Sequence, residues 1–220
     1  MVNVAEIRRA IDLLLTPGQV CEMRVLNTPK GTVSGYFSDV DKLAQAATNW
    51  SGKAPGVYIT LNPVDPELMA RASNRVKEYA RETTSDSQIL ARRWLPVDLD
   101  AARPAGISST IAEHEMALER AREAREWLRS QGWPEPVFAD SGNGAHLLYP
   151  IGLPNDQGAT DLLGDCLQTL AFKFDDDAVK VDTGNFNAAR IWKLYGTAVC
   201  KGDSTHDRPH RLARILEVPE

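Results

Sequence analysis

The run Trp94-Leu95-Pro96-Val97-Asp98-Leu99-Asp100 constrains this chain more than any other stretch. Apolar and acidic residues alternate at its end, and a side-chain period of two fits a strand. As a strand it sends Val97 and Leu99 to one face and Asp98 and Asp100 to the other. The fold must then supply a core beneath the first face and something other than core above the second. Aspartate is depleted in strands, and like charges on one face repel, so the pair needs a reason. One reading is an edge strand that shows both acids to water. The other is a divalent cation, since two residues along a strand span roughly 7 Å and a bound cation removes the repulsion. Oxygen-only ligands suit Mg²⁺ or Mn²⁺ better than zinc.

A third acid stands in a similar setting, Val179-Lys180-Val181-Asp182. Its plain reading is a strand-terminal aspartate that caps a turn. Between the acids lies a glycine-rich turn ending in histidine, Ser141-Gly142-Asn143-Gly144-Ala145-His146. Glycines there let backbone amides turn toward an anion, with Ser141, Asn143 and His146 adding polar side chains. An Asn-Gly hairpin turn explains the same residues without a ligand. After the third acid come Arg190 and Lys193 in Asn187-Ala188-Ala189-Arg190-Ile191-Trp192-Lys193-Leu194-Tyr195-Gly196-Thr197. On a regular strand these two bases face opposite ways; through a bulge or turn both reach one phosphate group, Arg as a fork and Lys as a point charge.

Bulk properties narrow the class. At 220 residues the chain is long enough for one sizeable core and two subdomains. No apolar run approaches the roughly 18 residues that span a bilayer, and the N-terminus reads as an amphipathic helix, not a signal peptide. Three scattered cysteines, Cys21, Cys166 and Cys200, argue against a disulfide framework and fit a reducing cytoplasm. A net charge of −5 counts against a sequence-blind DNA-coating protein. Bases nevertheless gather between Arg190 and Arg214, and Arg71, Arg75, Lys77 and Arg81 fall on one expected helix. Both sets suit a nucleic-acid groove, and both also suit ordinary solvated faces.

Helices are expected over 3–15, 38–50, 65–81, 109–131 and 155–174. The second opens on a Ser38-x-x-Asp41 cap and the third on Asp65-Pro66. The fourth ends at Gly132 and carries an apolar stripe of Ile111, Leu118, Trp127 and Leu128. Strands are expected over 20–26, 32–37, 57–61, 94–100, 137–140, 146–151, 179–182 and 190–195, with 137–140 and 146–151 forming a hairpin. Strands and helices mix without strict βαβ alternation, which favours α+β over a doubly wound sheet. The loop 101–108 follows the acidic pair and lines the same cleft, while 201–209 reads as an exposed polar loop.

Taken in order, Asp98-x-Asp100, Ser141-Gly-Asn-Gly-Ala-His146, and Val181-Asp182 with Arg190-Ile-Trp-Lys193 resemble the three motifs of the archaeo-eukaryotic primase superfamily. The nearest likeness is to the primase-polymerases of bacterial mobile elements, phages and plasmids. Thr32-Val-Ser-Gly-Tyr-Phe37 and Tyr58-Ile-Thr-Leu-Asn-Pro63 are similar to their N-terminal stretch, and the resemblance runs from about Cys21 to Leu212. It implies an α+β fold with mixed sheets in two subdomains flanking a catalytic cleft, about 1–90 and 91–215, the second RRM-like. It implies that Asp98, Asp100 and Asp182 bind Mg²⁺ or Mn²⁺. His146, helped by Ser141 and Asn143, would contact the triphosphate of a (d)NTP, and Arg190 and Lys193 its phosphates. Tyr195 departs from the family, where many members have proline in a Leu-Pro-Gly-Thr turn. Tyr58 and Asn62 are candidates for contact with the sugar.

The implied activity is template-directed DNA priming or polymerisation on single-stranded or primed DNA. A helicase or helical primase domain, in cis or in trans, is an implied partner, and the chain is then the catalytic module of a longer protein or a standalone member. Two other classes stay open. A Mg²⁺-dependent nuclease or phosphohydrolase would use the same acids with water as nucleophile. A non-catalytic nucleic-acid-binding module of a replication initiator would need none of them. A rolling-circle nuclease is disfavoured, because His114, His146, His206 and His210 offer no His-hydrophobic-His triplet.

Overall fold

Caps and amphipathic spacing set the helices in a computed structural model that describes residues 1–219. Helix α1 (Val4–Leu14) starts under Asn3, whose side chain accepts the Glu6 amide. Helix α2 (Val40–Trp50) starts under Asp39, one residue later than the expected Ser38 cap. Helix α3 (Ile111–Ser130) opens with a reciprocal Thr110–Glu113 capping box. Helix α4 (Gln157–Phe174) starts under Asp156. The strands are β1 (Cys21–Thr28), β2 (Gly31–Phe37), β3 (Val57–Thr60), β4 (Ala91–Ala101), β5 (Val137–Asp140), β6 (Gly144–Pro154), β7 (Val179–Val181), β8 (Ile191–Lys193), β9 (Ala198–Val199), β10 (Arg211–Leu212) and β11 (Arg214–Glu217).

The fold is α+β, as expected, with antiparallel pairing between all named strands. A five-stranded sheet has the order β11-β5-β6-β4-β7, and its chain order from β4 to β7 is β-α-β-β-α-β. A four-stranded sheet has the order β2-β1-β3-β8, so the strand carrying Trp192 and Lys193 crosses over to pair with β3. A third sheet joins β9 and β10.

Alternation along β4 decides where the core lies. Leu95, Val97 and Leu99 pack beneath α3 and α4 with Phe138, Leu147 and Leu167. The opposite face of the large sheet is divided. At Val137, Ala139 and Leu148 it joins a second core built from α1, α2 and the four-stranded sheet. At Asp98, Asp100 and His146 it is polar, and Asp98 stands directly opposite His146 in the β4–β6 register. A cleft therefore opens where the apolar contact between the sheets stops.

Two expectations need correction. The 65–81 segment is no long helix. It begins as expected at Asp65-Pro66, but only a 3-10 turn forms, Pro66–Arg71. The chain then runs along the edge of β2, where Tyr36 N–H donates to Ala72 O, Ser34 and Lys77 exchange backbone bonds, and Ala80 N–H donates to Thr32 O. Satisfying the open edge of β2 outweighs helix propensity there. Arg71, Arg75, Lys77 and Arg81 consequently lie on an irregular strap. In α3, Ile111 is 55% exposed and leaves the expected stripe. The buried face is His114, Ala117, Ala121, Ala124 and Leu128, small residues that let the helix lie close to the sheet. No helix among the described residues is long and apolar enough to cross a membrane.

Candidate active site

The cleft has a volume of about 290 Å³ and is lined by Asp98, Asp100, Ser141, Asn143, His146, Arg190 and Lys193, together with Tyr58, Asn185 and Lys201. Asp182 joins from one side. Its backbone N–H donates to Asp98 O at 2.9 Å, which extends the β4–β7 pairing into the site. Its carboxylate accepts from Arg190 at 2.7 Å. The three acids, Ser141, Asn143, His146, Arg190, Lys193 and Tyr58 thus gather at one place. Asn62 does not: it is buried outside the cleft, where Nδ2 donates to Ala188 O and Oδ1 accepts the Arg93 amide, both at 2.8 Å.

Asp98 is the centre of the arrangement. Its side chain is 23% exposed, yet Oδ1 is buried and has no hydrogen-bond partner. Burial first, then the neighbouring Asp100 and Asp182, pushes its carboxyl well above the usual carboxylate range. Asp100 and Asp182 are engaged elsewhere. Arg103, on the loop after β4, contacts both oxygens of Asp100 at 3.3 Å. Arg190 holds Asp182 and also donates through Nε to Asn185 Oδ1 at 2.6 Å.

Among the described residues no three acid, histidine or cysteine side chains stand as a ready metal cluster. The donor set still fits a hard divalent cation. It offers carboxylate oxygens only, and the orphaned Asp98 Oδ1 lacks the cation or proton that a buried carboxylate needs. Two more of the seven orphaned polar atoms among the described residues, Asn143 Nδ2 and Asn185 Nδ2, belong to residues that line the same cleft. Such a concentration marks a surface built for a polar ligand.

The glycine turn works differently from the expected amide cradle. Gly142 N–H donates to Asp140 Oδ1 at 2.7 Å, and Gly144 N–H donates to Ser141 Oγ at 2.9 Å. Those amides are consumed within the loop. A Cβ on Gly144 would stand 2.2 Å from Leu99 O and 2.8 Å from Asp100 Oδ1, so glycine is required there for β6 to approach β4 beside the acids. Asn143 lines the cleft; its Oδ1 accepts the Ser109 amide at 2.8 Å, and its Nδ2 is buried without a partner.

Cations share the cleft with the acids. Lys193 Nζ sits 4.1 Å from the Tyr58 ring centroid and 3.0 Å from its hydroxyl. Arg190 precedes β8 rather than lying within it, which lets it and Lys193 reach one cleft. Burial, Lys193 and Lys201 hold the His146 imidazole well below its ordinary pKa, so it is neutral. His146 Nδ1 pairs with Tyr195 Oη at 2.9 Å, and Nε2 lies 3.6 Å from Asp98 Oδ1. Lys201, Asn185 and Arg103 escaped the motif reading. Lys201 belongs to the basic 190–214 stretch but opens the segment read as an exposed loop. Arg103 sits in the loop expected to line the cleft.

Neither a protein-family model nor a curated protein sequence matches the chain. Solved structures do. Primase RepB' superposes with a TM-score of 0.52 at 13% identity, over 97% of this chain and 56% of its own. The polymerase domain of Mycobacterium tuberculosis Ligase D, in complex with DNA, gives 0.50 at 15% identity, over 94% of this chain and 79% of its own. The chain thus spans little more than half the length of the RepB' primase. At these identities the likeness is one of fold: the chain shares the fold of primase RepB' and of that polymerase domain.

Proposed function

We propose that this chain is a template-directed primase-polymerase domain that transfers nucleotides from (d)NTPs to a 3′-hydroxyl on DNA. One observation carries the reading: Asp98, Asp100 and Asp182 gather with His146, Arg190 and Lys193 around one cleft, inside a fold shared with a primase and a polymerase domain. The β-α-β-β-α-β order around the acids supports an RRM-like catalytic subdomain. A mobile-element setting rests on the motif resemblance.

The three acids would hold Mg²⁺ or Mn²⁺, which supplies charge stabilisation at the attacking and leaving oxygens. Arg190, which holds Asp182 and lines the cleft, would offer its guanidinium fork to phosphate oxygens. Lys193 adds a point charge steadied over Tyr58. The free amide hydrogens of Asn143 and Asn185 complete the lining for a triphosphate.

The test is extension of a primed template with dNTPs and Mg²⁺ or Mn²⁺, beside labelled DNA incubated without nucleotides. Extension supports the reading, and degradation without extension replaces it with a nuclease. His146→Ala is expected to weaken a non-hydrolysable dNTP about tenfold, the cost of one buried polar contact of about 1.4 kcal/mol, with primed-DNA affinity retained. Unchanged dNTP affinity in a titration would remove His146 from the site.

The template has a path. Lys193, Tyr58, Arg24 and Ser34 stand side by side across the four-stranded sheet. The row leads, over about 14 Å at one strand spacing per step, to a groove between β2 and the strap. That groove is lined by Arg71, Lys77, Arg81 and the exposed Tyr79, with Glu78 and Glu82 among them and Glu82 paired to Arg71. Lys77, Arg81 and Tyr79 are the bases and the aromatic that would hold a single strand without reading it. Removing Lys77 and Arg81 together is expected to flatten the slope of log affinity against log salt by about 1.4, two phosphate contacts at 0.7 each. An unchanged slope in fluorescence anisotropy would move the template elsewhere.

A further inference from the structure

Three buried side chains behind the cleft form a hydrogen-bonded chain that the proposed reaction leaves unexplained. Trp192 Nε1 lies 3.0 Å from Tyr195 Oη, and Tyr195 Oη lies 2.9 Å from His146 Nδ1. Tyr195 is fully buried, and Trp192 and His146 are 3% and 4% exposed. The Trp192 ring stands against the imidazole, centroids 4.0 Å apart. Tyr195 is held there by the turn that follows it. Gly196 has φ +87 and no room for a side chain against Asn3 O and Ile7 N, both 2.6 Å away. Thr197 Oγ1 donates to Leu194 O at 2.6 Å.

Hydrogen counting settles the direction of this chain. The indole N–H can only donate, so Tyr195 Oη accepts it. The phenol then has one hydrogen of its own to place, and the second partner within reach is His146 Nδ1. If Nδ1 carried a hydrogen instead, the phenol hydrogen would be buried without an acceptor, at the full desolvation cost of a donor. We propose that Tyr195 is a positioning residue whose hydroxyl holds His146 as the tautomer bare at Nδ1 and protonated at Nε2. The Nε2–H points toward Asp98, yet 3.6 Å is too long for a hydrogen bond to Oδ1. It is therefore a donor kept ready for an anionic oxygen that enters the cleft. That last step rests on the nucleotide reading of the site, whereas the tautomer assignment does not.

Long-range ¹H–¹⁵N correlation of the metal-free, nucleotide-free protein reads the tautomer directly. The expected spectrum has His146 Nδ1 with an unprotonated shift and Nε2 with a protonated one. Tyr195→Phe is expected to bring the two nitrogen shifts toward each other as the tautomers mix. Protonation at Nδ1 in the wild-type protein, or wild-type shifts retained in Tyr195→Phe, overturns the assignment. Should Tyr195→Phe fail to fold, as circular dichroism would reveal, the wild-type spectrum alone decides. Titration of a non-hydrolysable dNTP supplies the second arm. Tyr195→Phe is expected to bind it about fivefold more weakly, one neutral hydrogen bond's worth, with unchanged affinity for primed DNA. A changed tautomer with unchanged dNTP affinity would uphold the role of Tyr195 and overturn the nucleotide reading of the cleft.

Discussion

Asp98→Asn is expected to abolish primer extension, by at least about a thousandfold, and at the same time to raise the melting temperature of the metal-free protein. Both effects come from one atom. Asp98 Oδ1 is buried without a partner, with Asp100 and Asp182 close enough to disfavour its charge. An amide of the same shape carries no charge to desolvate, and relief of this kind is worth about 1 kcal/mol, or ~2–4 °C in a chain of this size. The sign with pH follows from the raised carboxyl. Below the ordinary aspartate value of about 3.9 the group is protonated whether the chain is folded or not, and burial adds no penalty. As pH rises from there through the raised folded value, the native state holds a proton that the unfolded state has lost, so stability falls. The advantage of Asn over Asp should therefore grow between mildly acidic and neutral pH, in melts recorded with a chelator. Adding Mg²⁺ or Mn²⁺ should raise the melting temperature of the wild-type protein and leave Asp98→Asn unmoved. A variant that melts below wild type at neutral pH without metal, or still extends primers at the wild-type rate, would sink the assignment.

Much of this site was legible because strand alternation is a strong local rule. Asp98 and Asp100 opposite Val97 and Leu99 needed no tertiary information, and the 137–151 hairpin followed from its Asn-Gly turn. Convergence of Asp182 with the pair followed from motif order, since the β4–β7 pairing that brings it there is long-range. The failures share a cause. The strap after Pro66 has helical spacing and good propensity, but its backbone is claimed by the unpaired edge of β2. The one local trace of this is Gly35, where a Cβ would lie 2.0 Å from Arg75 O. A glycine inside a strand marks close approach of another backbone without saying whose. Likewise, the amides of the 141–144 turn looked free for an anion because their partners, Asp140 and Ser141, sit within the loop and compete unseen. Arg103 and Lys201 were hidden differently, since a base on a loop carries no periodicity to say which way it faces.

Gly144→Ala should be among the most damaging single changes available, costing about 3 kcal/mol or more and removing activity with it. Gly144 pairs with Asp100 in the β4–β6 register, and the added methyl would meet Leu99 O at 2.2 Å and Asp100 Oδ1 at 2.8 Å. The first of these is backbone in the most extensively paired strand of the fold, flanked on its other side by β7, so it has nowhere to retreat. The second belongs to an acid of the site. Relief can come only by parting β4 from β6, which carries His146 away from Asp98 and loosens the pairing that seats Asp182. Gly142→Ala is the informative contrast. Gly142 has φ +90, and a methyl there would meet the Val199 side chain at 2.6 Å, a neighbour that belongs to the separate β9–β10 sheet. Its cost is backbone strain and side-chain crowding, about 1–3 kcal/mol, with the β4–β6 register left intact. Chemical denaturation of both variants, alongside dNTP titration, separates the two roles. Gly144→Ala should lose stability and nucleotide binding together, and Gly142→Ala should lose stability in excess of binding. If Gly144→Ala instead unfolded at the wild-type denaturant midpoint, the close approach of β6 to the acidic strand would be wrong, and with it the geometry that sets His146 across from Asp98.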